Sequence, residues 1–179
     1  MKEKTHMKKR EIITALILVS AFLFAVSTIA QQKVAPVNFR KLLPFLGDVP
    51  GFTPDDKPEG QTVTMGELSY TIASRSYSSE DKSLTISIYH GPSMAPPYIA
   101  FQQMKNFQVD SSEELIKSIE IKGFPAIEHY TYEDKDATVM ILLKEHLLVV
   151  VEEEEAEDIE ETVKIAKSLP LEKIANAVN

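Results

Sequence analysis

The sequence predicts an α+β fold: an antiparallel sheet with helices packed on one or both faces, preceded by an N-terminal signal or anchor helix. Three observations predict it. Apolar residues alternate with period two in paired segments between Leu68 and Tyr132. Two nearly continuous apolar runs follow at Val139 to Leu143 and Leu147 to Val151. Ile159, Val163, Ala166 and Leu169 then recur at three- and four-residue spacing.

At the N-terminus, Lys8, Lys9 and Arg10 lead into Ile12 to Ala30, an uncharged and largely apolar run with the small residues Thr28 and Ala30 just before Gln31. A basic end, an apolar run and a small residue at the cut have the form of an export signal. The run also reaches the roughly 18 residues that span a bilayer. Residues 1–30 are therefore read as a signal peptide or an N-terminal membrane anchor, with both outcomes open. In either case the basic end stays cytoplasmic and Gln31 onward lies outside, an extracytoplasmic placement, periplasmic or secreted. Membrane contact is expected only through residues 12–30, if they are uncleaved.

Residues 31–62 read as a linker, a short helix at Asn38 to Leu43 stopped by Pro44, and a loop from Gly47 to Gly60 dense in Gly and Pro. Residues 63–179 read as the α+β domain. Within it, Leu68, Tyr70 and Ile72 alternate with polar or small neighbours, Ser78 to Lys82 turns the chain, and Leu84, Ile86 and Ile88 resume the alternation, which predicts a hairpin. Pro97 suits the first turn of a helix running to about Phe107, with Tyr98, Phe101, Met104 and Phe107, together with Ile99, close to one side. Ser111 and Glu114 match a capping box and predict a further helical turn. Ile119 and Ile121, the turn Gly123-Phe124-Pro125, and Ala126 to Tyr132 predict a second hairpin region. The two apolar runs are expected in the middle of the sheet, because strands covered on both faces lose their alternation. An amphipathic helix precedes Pro170, and Leu171, Ile174, Ala175 and Val178 suggest another.

Composition excludes several chemistries. The chain has no cysteine, which removes disulfides, thiolate ligands, a cysteine nucleophile and a lipid-modified cysteine. Residues 1–30 hold five basic and two acidic residues of a chain with net charge −8, so the remainder carries −11. That balance repels phosphate backbones and predicts no nucleic-acid partner.

Catalytic and metal signals are sparse, and no catalytic, cofactor or metal site is assigned. His90, before Gly91-Pro92, suits a loop-borne site best. His129 and Glu128 are neighbours on a strand and point to opposite faces, so they cannot act on one group. Glu145 and His146 could converge only in a turn. No HExxH or GxSxG pattern occurs. The acidic run Glu152 to Glu155, continued by Glu157, Asp158, Glu160 and Glu161, is read chiefly as the start of the following helix, where carboxylates meet the positive dipole end. A calcium loop has the wrong pattern here. Tyr70, Tyr77, Tyr89, Tyr98, Phe101, Phe107, Phe124, Tyr130 and Tyr132 are core candidates that could also line an apolar pocket.

The order of these elements resembles the Mog1/PsbP-like family of small, often exported α/β domains. The likeness rests on the Leu68 to Ile88 hairpin, the helix after Pro97, the Ile121 to Ala126 turn, the paired runs and the terminal helix. It implies a binding or assembly role without catalysis and carries over no site residue. The expected function is thus an exported, non-enzymatic binding domain without cofactor, for a protein or an apolar small molecule in a groove beside the Pro97 to Phe107 helix. The alternatives are an extracytoplasmic hydrolase using a histidine and a carboxylate, or a structural envelope subunit tethered by its N-terminus.

Overall fold

Alternation between Leu68 and His90 does what a hairpin requires: the two strands pair over their whole common length, Thr71 opposite His90 and Ser79 opposite Lys82. A computed structural model describes residues 35–66, 68–92 and 96–178. Its strands are β1 Thr53–Pro54, β2 Glu59–Met65, β3 Leu68–Ser79, β4 Lys82–His90, β5 Val109–Asp110, β6 Glu114–Ile121, β7 Phe124–Thr131, β8 Asp136–Lys144 and β9 Leu147–Glu154. The helices are α1 Pro96–Met104, α2 Ile159–Ser168 and α3 Leu171–Ala177. The strands form one antiparallel sheet in the order β1-β3-β4-β9-β8-β7-β6-β5, with β2 also on the outer flank of β3.

The two apolar runs, β8 and β9, occupy the middle of the sheet. Val139, Ile141, Leu147, Val149 and Val151 face a core closed by α2 and α3, while Met140, Leu148 and Val150 face a second core under α1. Both faces of the central strands are therefore dry, which accounts for the lost alternation. Among the described residues no helix is long and apolar enough to cross a membrane. The signal or anchor segment lies outside those residues.

Three local expectations change. The compact unit runs Val34–Asn179, and it draws in part of the stretch expected as linker and loop. Leu42, Leu46 and Val49 are buried in the main core, and β2 pairs with the first half of β3. Phe39 is the reason Gly60 fits there: a Cβ at Gly60 would stand 2.8 Å from the Phe39 ring. Ser111 opens no helix. Its Oγ accepts from the amides of Glu113 and Glu114, as a capping serine would, but the bonds close the turn between β5 and β6. The β6–β7 turn is Lys122-Gly123, both with positive φ, as a tight hairpin turn needs. Pro125 falls inside β7, paired only with β6, because the β8 pairing begins at Ala126.

Candidate functional site

α1 begins with two prolines, whose fixed φ suits a first turn and whose missing amides would be unpaired there anyway. Tyr98 and Phe101, one turn apart, bury themselves against Ile127, Met140, Leu148 and Val150. The Tyr98 hydroxyl donates to the Tyr89 carbonyl at 2.9 Å, and burial pushes its pKa up, so it stays a donor. Beyond the other end of the helix, the Ser118 hydroxyl donates to the Lys105 carbonyl at 2.7 Å. These contacts hold α1 on the sheet and fix which side it presents outward.

That side is Ile99, Gln102 and Gln103, one stripe by their three- and four-residue spacing. Opposite stand Leu142 and Glu145. Together these five residues line a groove of about 580 Å³, open on one side. Its floor is apolar: Leu142 is half-buried and Ile99 keeps 44% of its surface exposed. Gln102, Gln103 and Glu145 supply amide and carboxylate groups at the rim. The wall on the sheet side is the end of β8 and the two-residue turn Glu145-His146 that joins it to β9, just after an irregularity in their pairing between Leu142 and Lys144. His146 stays tied to the sheet through its carbonyl, which accepts from the Gly91 amide at 3.0 Å, and its Nδ1 is buried without a partner among the described residues.

The histidines and carboxylates singled out in the sequence do not gather at one site, although Glu145 and His146 do lie in a turn and approach to 3.8 Å there. His90 is no loop-borne site: it is 5% exposed, and its Nδ1 accepts the Val37 amide at 3.1 Å while the Thr71 hydroxyl donates to the Val37 carbonyl. Burial first, then His146 and Lys144, push its pKa down, which keeps Nδ1 an acceptor. Glu128 and His129 do diverge. Glu128 pairs with Lys117 at 3.7 Å on the face of α2, and His129 with Glu114 at 3.1 Å on the face of α1. The His129–Glu114 pair has the form of an imidazole oriented by a carboxylate, but it lies on open sheet surface away from the groove.

The acidic run is split between two elements. Glu152, Glu153 and Glu154 belong to β9, while Asp158 caps α2 by accepting from the amides of Glu160 and Glu161. Glu152 and Glu154 face outward on the α1 side. Glu153 points the other way and is 1% exposed. Among the described residues no group of three or more histidines and carboxylates is placed to hold a metal ion.

Of the aromatic candidates, Tyr77, Tyr98, Phe101 and Tyr130 are buried, and Phe107 and Tyr132 are exposed. None lines the groove. Its floor instead uses Ile99, visible in the sequence as part of the helix stripe, and Leu142, hidden inside an apolar run. Compared with known proteins, the chain matches no family model, no curated protein and no solved structure.

Proposed function

We propose that this chain is a non-enzymatic extracytoplasmic binding domain, and that it takes a protein partner in the groove between α1 and the β8–β9 turn. The observation that carries this is the groove itself: an exposed isoleucine over a leucine floor, rimmed by two glutamines and a glutamate, between elements that are each pinned to the sheet. Binding sites of this kind combine an apolar floor with few polar groups for orientation. Because the groove is open on one side, it suits an apolar side chain presented by a larger partner better than a small molecule needing enclosure. The likeness in element order to Mog1/PsbP-like binding domains agrees with this role, and the N-terminal signal or anchor accounts for its placement outside the membrane.

A photo-crosslinking amino acid at Gln103, in the protein produced in its own cells, tests the proposal. It should join one defined partner, and Ile99→Glu should reduce that adduct about tenfold, as loss of a buried anchor does. An equal adduct from a crosslinker at Lys173, on the opposite face, would count against the groove.

A further inference from the structure

We infer that β2 is a dimerisation edge: two copies of this chain pair their β2 strands antiparallel about a two-fold axis at Thr62, extending the sheet from one copy into the next. This goes beyond the groove and does not depend on it.

The two borders of the sheet are built differently. At β6, the short β5 covers Leu115 and Ile116, and the uncovered remainder carries Lys117 and Glu120. Covering and charge are the usual ways in which proteins keep an edge strand from pairing with another chain. At the other border, β2 runs seven residues, Glu-Gly-Gln-Thr-Val-Thr-Met, paired with β3 in unbroken register from Glu59 opposite Ser74 to Met65 opposite Leu68. It has no proline, no bulge and one charge, at its first residue. Among the described residues no strand pairs with its outer side.

The strand is nonetheless held in place. Thr62 and Thr71 share a hydrogen bond across the ladder at 3.0 Å, as do Thr64 and Ser69, and Phe39 rests on Gly60. An edge in unbroken register, without proline, bulge or interior charge, offers outward amides and carbonyls as a template for another strand.

The charge of β2 suits a second copy as the occupant: on a chain of net charge −8 the strand carries one charged residue, Glu59. With the axis at Thr62, every residue from Glu59 to Met65 finds a partner: Glu59 meets Met65, Gly60 meets Thr64, and Gln61 meets Val63. The only charged residue of the strand is thereby placed opposite methionine rather than its own copy. Met65, 58% exposed, gains a neighbour on each side of the axis. Two acidic copies meeting along this strand bring only Glu59 of each to the seam, at its opposite ends. Seven paired residues make a small interface, so the dimer is reversible.

The absence of native cysteine makes the test direct. The full chain carrying Thr62→Cys, oxidised mildly in its own cells, should give a covalent dimer, because a residue on the axis faces itself within disulfide reach. Glu120→Cys, on the opposite border, should not. Sedimentation of the isolated protein should show a reversible dimer that Thr62→Lys weakens about tenfold, since like charges then meet on the axis. Thr62→Ser, which keeps the hydroxyl shared with Thr71, should preserve it, and Thr62→Val, which removes that hydroxyl without adding a charge, should weaken it far less than Thr62→Lys does. A protein that is monomeric by sedimentation, a dimer indifferent to Thr62→Lys, or equal crosslinking through Glu120→Cys would each overturn the assignment.

Discussion

Glu153 shows what a single residue costs and gives in this fold. Its carboxylate is buried between β9 and α2, where it accepts from the Thr162 hydroxyl at 2.7 Å and lies 3.5 Å from the Lys82 ammonium, which Glu161 also claims. Burial raises its pKa, and the hydrogen bond and Lys82 only partly offset that rise. The native state therefore takes up a proton before the unfolded chain does, so this group gives more stability as pH falls toward its unfolded pKa of about 4.5. Glu153→Gln, which can still accept from Thr162, should melt higher than the unaltered protein at neutral pH, with the gap closing toward pH 4.5. A lower melting temperature throughout would show that the Lys82 contact outweighs burial.

His90 works with the opposite slope. Its pKa is lowered in the fold, so the unfolded chain takes up the proton first, and stability that is complete above about pH 6.5 declines as pH falls below it. Val37 is held through the unprotonated Nδ1, so acid also works against the segment that carries Leu42, Leu46 and Val49 into the core. Thermal melts of His90→Gln should lose the decline just below pH 6.5. A decline of unchanged size would place its origin elsewhere.

At the scale of elements, α2 is the best specified. Asp158, with extended backbone, accepts from two amides of the first turn, and Glu160 and Glu161 follow it at the positive end of the helix. Asp158→Ala should cost about 1 kcal/mol, a drop in melting temperature of roughly 3 °C, and Asp158→Asn much less. Circular dichroism melts of the two variants compare them directly.

The same helix was legible in the sequence because its apolar period, acidic start and Pro170 agree. β2 was not, because Pro54, Pro58 and Gly60 dominate its surroundings and it has no alternation of its own. It pairs on the side of β3 away from β4, where β1 covers only Tyr77 and Ser78. Ser111 misled for a related reason: hydroxyl-to-amide bonds serve a hairpin turn as well as a helix start. The groove was half legible. The α1 stripe gives Ile99, but an apolar run without alternation does not show which of its residues faces α1; Leu142 does, in step with Met140.

For the whole molecule, the sheet separates tasks by face and border. One face is closed by α2 and α3 around the main core. The other is covered in part by α1, which leaves a groove on one flank and, on the other, open surface with Glu114, Asp136, Glu152 and Glu154. There Asp136 and Glu152 have raised pKa values, through burial first and then neighbouring carboxylates. One border is guarded and the other bare. We propose that a domain so arranged holds one partner in the groove and a second copy at β2.

The most direct measurement is crosslinking from Gln103 in the native cell. A single partner adduct, lost with Ile99→Glu and absent from Lys173, is the result predicted. No adduct from Gln103 beyond that from Lys173 would contradict the binding role assigned to the groove.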